Sequence, residues 1–386
     1  MGGGPGARLN AALAVLSFGI ALATAEVVLG VWFRITATAA APASILSEVL
    51  RLRAAGDHAY PKIPGNVLVD WNAELRAGTE AWHPITPAPG NATVLLCNEN
   101  GPTVMYAADR YGFDNPDAVW DDGAPDVAVI GDSYTAGVCV DRGETLPARL
   151  RSSFEVLNLG TAGAGPLQEL AILREYVAPL MPPVVVWVYY EGNDLWDLER
   201  EADRAWLRAY LEPTHSQRLM AHRDAIDARY RAWVDSLVDA ESVAAGAASD
   251  DATTSFVADA LRLRALRRVT RFGVVFPSPE SPLGLLWEVL ERARDDVAAW
   301  GGQLVLVYMP AYARYDTLVG EGVAGRRELL AFAEASGIPI IDLDPAFQAQ
   351  GDPRALWMSP RAHLSPEGYA LAAQAIGQAL AGLPGP

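Results

Sequence analysis

Apolar and polar positions follow three successive patterns along the chain. Residues 11–33 (AALAVLSFGIALATAEVVLGVWF) are apolar almost without interruption, long enough to cross about 30 Å of hydrocarbon as a helix. Glu26 breaks the run, at a cost of a few kcal/mol that the flanking Leu, Val and Phe offset. The run predicts an uncleaved transmembrane anchor. A shorter apolar stretch ended by Ala23-Thr24-Ala25 also fits a cleaved signal peptide, and a soluble amphipathic helix is a third reading. Arg8 and Arg34 flank the run on both sides, so local charge does not orient it. Residues 34–120 show little periodicity. They read as a stalk over 34–65 with one helical piece (SILSEVLRLRAA), then an irregular segment with short strands at VLVDW and TVLLC.

From Asp126 the pattern becomes regular. DVAVIGDSY, EVLNLG, PPVVVWVYYEGND, QLVLVYMP and IPIIDLD are short apolar runs with little alternation, as expected of strands covered on both faces. Helical spacing follows or precedes them in TLPARLRSSF, PLQELAILREYVAPL, GLLWEVLERARDDVAAW, RRELLAFAEA and PEGYALAAQAIGQALAGL. Strands alternating with helices predict an α/β fold around a parallel five-stranded sheet with right-handed crossovers. Residues 195–283 interrupt it with a helical insertion (DLEREADRAWLRAYL, QRLMAHRDAIDARYRAWVDSLV) and a loop, AAGAASDDATTS. The expected organisation is therefore tail and anchor at 1–33, stalk and accessory segment at 34–120, the two halves of one α/β domain at 121–194 and 284–386, and a cap-like insertion at 195–283.

Composition narrows the function. With 30 basic and 47 acidic residues among 386, the chain carries a net charge of −17, which argues against binding the phosphates of a nucleic acid. Lys62 is the sole lysine; with abundant Ala and Gly, this reads as codon usage. Cys97 and Cys139 are the only cysteines, too few for a four-cysteine zinc site, and either one disulfide or two thiols is open. None of the five histidines stands at metal-binding spacing, so no metal or other cofactor is expected. His58, His83, His215 and His222 read as structural. Arg262, Arg264, Arg267, Arg268 and Arg271 read as a solvated helix face, with contact to anionic lipid or glycan as the sharper alternative. Trp206, Tyr210, Tyr230 and Trp233 read as the core of the insertion rather than as a sugar platform.

Four segments lie at the carboxyl ends of the predicted strands, where open α/β sheets place their sites. Gly131-Asp132-Ser133 puts a serine at a strand-to-helix turn. Asn158-Leu159-Gly160-Thr161-Ala162-Gly163 supplies backbone N–H groups. Gly192-Asn193-Asp194 supplies a side-chain amide, and His363-Leu364-Ser365-Pro366-Glu367-Gly368 a histidine able to act as general base. In this order and on these elements the chain resembles the SGNH (GDSL-type) hydrolase family, over about residues 105–194 and 285–383. The phrase YGFDNPD and the apolar helix with its embedded Glu are similar to membrane-anchored bacterial members. The resemblance implies a flavodoxin-like, three-layer α/β/α fold. It also implies Ser133 as nucleophile, His363 as base, and the Ser133 and Gly163 N–H groups with the Asn193 amide as oxyanion hole. One departure matters. The acid that normally precedes the histidine is absent, with Pro360 and Arg361 in its place. A carbonyl near Ser359 could orient His363, a carboxylate from elsewhere such as Asp352 could substitute, or the site could be weak. The expectation is a membrane-anchored, extracytoplasmic (periplasmic) serine esterase acting on small acyl groups, such as acetyl, of carbohydrate or envelope glycan. The alternatives are an O-acetyltransferase working with a membrane acyltransferase partner, and a degenerate glycan-binding protein.

Overall fold

The computed structural model describes residues 45–63, 69, 82–97, 103–247, 282–316, 325–359 and 363–383. The apolar run at 11–33, the arginine run at 262–271 and the residues between Ser359 and His363 lie outside the described residues. Among the described residues no helix is long and apolar enough to cross a membrane. Residues 44–237 and 281–386 form one compact unit, and residues 1–43 and 238–280 are assigned to another.

The chain enters the larger unit through α1 (Ile45–Ala54) and strands β1 (Ala59–Pro61), β2 (Thr93–Cys97) and β3 (Val104–Ala107). Next come β4 (Val127–Gly131), α2 (Ser133–Ala136), α3 (Leu146–Leu150), β5 (Val156–Asn158), α4 (Pro166–Ile172), β6 (Val184–Tyr190) and α5 (Asp194–Glu201). Helices α6 (Arg223–Ala247) and α7 (Leu283–Ala299), then β7 (Gln303–Met309), α8 (Arg326–Ser336), β8 (Ile340–Asp342) and α9 (Pro366–Ala381) follow.

The expected five strands form one sheet in the order β5-β4-β6-β7-β8, and every pairing is parallel. Side chains alternate across a strand, and here both sets are buried. Val127, Val129, Val186, Val188, Val305 and Val307 pack with Leu146 and Leu150 of α3 and Tyr369, Ala372 and Ile376 of α9. Ala128, Ile130, Val185, Trp187, Leu304 and Leu306 face the other way and are equally buried, where α4 and α7 contact β4 and β7. Covering both faces is why these strands read as continuous apolar runs. The strand order reverses at β4, so the crevice between the ends of β4 and β6 is the topological switch point, where doubly wound sheets place ligands.

The described part of the accessory segment is more ordered than its sequence suggests. It forms a three-stranded sheet, with β1 parallel and β2 antiparallel to its neighbours β2 and β3, and an irregularity between Leu95 and Cys97. Val94 through Cys97 are all buried, so no polar-apolar alternation marks the strand. Tyr230 is fully buried and donates through its hydroxyl to the carbonyls of Thr86 and Ile63, while His83 stacks on Trp206 with ring centres 4.8 Å apart. Accessory segment and insertion share one interior. Cys97 and Cys139 are joined in a disulfide, which fastens the end of β2 to the loop after α2.

Candidate active site

Strand β4 runs straight into α2, and Asp132 and Ser133 occupy the junction. Asp132 caps the helix, its Oδ1 accepting from the Tyr134 N–H at 2.8 Å. Its Oδ2 accepts from the Ser133 hydroxyl at 3.3 Å and from Asn193 Nδ2 at 3.1 Å. Burial pushes the Asp132 carboxyl above its ordinary value, against these hydrogen bonds. The second glycine-rich segment comes very close to α2: a Cβ on Gly160 would sit 2.3 Å from Ala136 N. Gly163 holds a φ of +82°, a conformation that favours glycine. Thr161 N donates to Gly131 O at 2.9 Å, so this loop continues alongside β4 to the level of the serine.

Asn193 precedes α5 at the end of β6. Its Nδ2 also donates to Asp197 Oδ2 at 3.0 Å, one helical turn later, while its Oδ1 is buried without a partner. Both amide hydrogens are thus directed at carboxylates in this conformation. Asp194 is fully buried and accepts from Tyr190 N at 2.8 Å. Glu201 accepts from the N–H groups of Gly165, Leu167 and Gln168, and the Glu169 carboxylate is buried without a partner. Burial and mutual repulsion raise this group together. Asp197 is pushed up to about 8 and Glu201, chiefly by burial, to about 7, while Glu169 and Asp194 lie well above the usual carboxylate range. Among the described residues no cluster of His, Cys, Asp or Glu is arranged to hold a metal ion.

His363 stands in a short extended segment: Leu364 bridges Trp357, and Met358 N donates to His363 O at 3.1 Å. Two residues later Ser365 caps α9 by accepting from Gly368 N. The imidazole packs against Tyr134, the residue after the serine, with ring centres 5.0 Å apart. Tyr134 is held in turn by Tyr190, stacked at 3.6 Å with the two hydroxyls 2.7 Å apart. His363 Nδ1 is buried without a hydrogen-bond partner, and no hydrogen bond joins the ring to Ser133 among the described residues. Burial first, and the charge of Lys62 second, lower the imidazole to about 4.

Asp352 does not supply the missing acid. Its carboxylate is exposed, caps the turn at Pro353–Leu356, and is bound by Arg354 Nε at 2.9 Å and by a second guanidinium nitrogen at 3.0 Å. Among the described residues no carbonyl accepts from His363 Nδ1 either. Asp132 thus links Ser133 with Asn193, His363 packs on the residue that follows the serine, and Asp352 pairs with Arg354 instead. Asp197 was not legible as part of the site. The spacing of Asp197, four residues after Asn193 on a helix, is the signal that could have found it.

A serine on a strand-to-helix turn, a glycine-rich loop beside it, an amide across the switch point and a histidine before the last helix are the parts a serine-dependent hydrolase site requires. The model of the GDSL-like Lipase/Acylhydrolase family matches residues 129–371. The chain belongs to this family, and it is an ester-hydrolysing enzyme. No curated protein matches it. Similar solved structures include a member of the lipolytic protein G-D-S-L family from Veillonella parvula, 14% identical, covering 67% of this chain and 98% of that one with a TM-score of 0.36. A lipase/acylhydrolase from Enterococcus faecalis is 15% identical, covering 66% and 95% with a TM-score of 0.36. A mutant of an acetyl-xylooligosaccharide esterase from Geobacillus Stearmophilus is 15% identical, covering 68% and 96% with a TM-score of 0.38.

Proposed function

We propose that the enzyme is an exported serine esterase that removes small acyl groups, acetyl foremost, from carbohydrate. The observation that carries this reading is the crevice itself, where Ser133 lies at hydrogen-bond distance from Asp132, which in turn binds Asn193, with the His363 ring against the neighbouring Tyr134. Ser133 turns from Asp132 toward His363, a rotation between staggered wells, and attacks the ester carbonyl as its proton passes to the imidazole. The Ser133 and Gly163 N–H groups hold the oxyanion, joined by the Asn193 amide once substrate draws it from a carboxylate. The alcohol leaves with the proton from His363. Water then attacks the acyl-serine, gives a proton to His363, and the acid departs as Ser133 regains it.

Trp196 supports a sugar substrate. It lies on the first turn after Asn193, 44% exposed, with Arg200 over its ring at 4.6 Å, and a flat exposed ring suits the face of a pyranose. The Cys97–Cys139 disulfide supports export, since such bonds persist in oxidising compartments, and the apolar run at 11–33 supplies an anchor or export signal. The test is turnover of a short-chain aryl ester by the wild-type protein, Ser133→Ala and His363→Ala. Losses of about 10³-fold or more are expected in both variants. Equal rates in all three would overturn the assignment.

A further inference from the structure

Asn193 occupies the N-cap of α5 and does not cap it with its side chain. An asparagine there ordinarily turns its side-chain oxygen to a free N–H of the first turn. Here no such bond forms, and Asn193 Oδ1 is buried without a partner, an arrangement that works against stability. Only the backbone carbonyl of Asn193 serves the helix, accepting from Asp197 N at 2.8 Å. The side chain gives its nitrogen to two carboxylates instead, Asp132 Oδ2 at 3.1 Å and Asp197 Oδ2 at 3.0 Å. A primary amide carries two hydrogens on that nitrogen, so each carboxylate takes one.

The two carboxylates differ in what surrounds them. Asp132 Oδ2 also accepts from the Ser133 hydroxyl at 3.3 Å, so the hydrogen aimed at Asp132 is the one beside the nucleophile. Asp197 stands one turn into α5, almost fully buried, and is fixed on its own account. Its Oδ1 accepts from Arg200 at 3.4 Å, so Asn193, Asp197 and Arg200 form a chain along one face of the helix. Its backbone packs on the start of α4, where a Cβ on Gly165 would lie 2.8 Å from Asp197 Cβ and 2.9 Å from its carbonyl carbon. Glu201, one turn further on, accepts from Gly165 N at 2.8 Å and Leu167 N at 3.0 Å and closes the same contact. Burial pushes the Asp197 carboxyl up to about 8, and either protonation state keeps an oxygen able to accept. Holding the amide therefore calls for an acceptor at this place rather than for a charge.

Resting on the reading of Ser133 as nucleophile and Asn193 as oxyanion donor, we propose that Asp197 is a positioning residue that anchors the Asn193 amide through one hydrogen while the other passes from Asp132 to the oxyanion. The amide needs such an anchor because Asp132, its other acceptor, must give way to substrate, and Oδ1 has nothing to hold it. Without Asp197 the side chain is free to rotate toward the ordinary capping position, Oδ1 toward the first-turn N–H groups, and the donor leaves the oxyanion. The anchored hydrogen bond counts once charge develops on the oxygen, so its loss falls on turnover and not on substrate affinity.

Kinetics with a short-chain aryl ester test this in two backgrounds. Asp197→Ala is expected to lower kcat by about 10- to 100-fold with KM within about twofold, less than the loss of a whole oxyanion donor at about 10²–10³. Asp197→Leu, closer in volume, should match it, which separates the lost acceptor from lost packing. Asp197→Asn, which keeps an acceptor oxygen, should recover most of the loss. In an Asn193→Ala background, Asp197→Ala should cost no more than about twofold, since the group it positions is gone. An unchanged or raised kcat in Asp197→Ala and Asp197→Leu, or an equal loss in both backgrounds, overturns the proposal. The side-chain amide signals of Asn193, identified as the pair missing from the proton–nitrogen spectrum of Asn193→Ala, give a readout independent of turnover. In Asp197→Ala one proton of the pair should move upfield and exchange faster, and in Asp197→Asn it should stay near its wild-type position. An unmoved pair in Asp197→Ala overturns the anchor. Full activity in Asn193→Ala instead refutes the oxyanion reading, and the amide signals still decide whether Asp197 holds the side chain.

Discussion

Asp132 joins three parts of the site through one carboxylate. It caps α2, receives the Ser133 hydroxyl and holds the Asn193 amide. In this conformation Ser133 and Asn193, the proposed nucleophile and oxyanion donor, are therefore both tied to the same buried acid, and substrate must compete for them. His363 stands apart, against Tyr134 and without an acid behind it. A base must be neutral to accept a proton, and burial lowers this imidazole to about 4. The acid limb of kcat/KM against pH should accordingly fall near pH 4 rather than near the ordinary histidine value of about 6.5. A profile of aryl-ester hydrolysis from pH 3 to 8 checks this, and an acid limb near 6.5 would show that the imidazole is not buried as described.

At the scale of elements, the site depends on two close fittings around α2. The first is the approach of Gly160, where a Cβ would lie 2.3 Å from Ala136 N and 2.6 Å from the Thr135 carbonyl carbon. Both are backbone atoms and cannot rotate away. Gly160→Ala should cost about 1–3 kcal/mol of stability by overpacking and should lower kcat more than it raises KM, because α2 carries Ser133. Denaturant melts and steady-state kinetics on one preparation measure both. The second is the disulfide, which closes a loop between cysteines 42 residues apart. On loop-closure entropy, removing such a bridge costs about 4 kcal/mol. Reduction, or the pair Cys97→Ser and Cys139→Ser, should lower the thermal midpoint and loosen the accessory sheet from α2. An unchanged midpoint after verified reduction would show that the surrounding packing holds the sheet unaided.

At the scale of the whole molecule, the buried acids set how stability varies with pH. Asp197 and Glu201 are raised to about 8 and 7, and Asp109, behind the glycine loop, to about 6, each chiefly by burial. A carboxyl raised in the folded state binds its proton more tightly there than in the unfolded chain. Its contribution is full below the unfolded value near 4 and is lost as pH rises toward the folded value. His363, lowered on folding, opposes this below about 6.5, but as one group against several. Chemical denaturation should thus show stability falling from about pH 5 to pH 8, with a shallower slope in Asp197→Asn; a rise over that range would contradict the burial of these acids. Much of the architecture was legible beforehand. Continuous apolar runs such as VVVWVYY and LVLVY mark strands covered on both faces, and their alternation with helices requires a parallel sheet. Because such sheets gather loops at strand ends, Ser133, Asn193 and His363 could be assigned to one crevice from their places along the chain. Local sequence determines these features, since periodicity records which face of an element is buried. It does not record which side chains meet across loops. The accessory sheet, the Cys97–Cys139 pairing and the capture of Asn193 by Asp132 join segments tens of residues apart. Only the packed tertiary structure decides those meetings, because each depends on where several elements come to rest together.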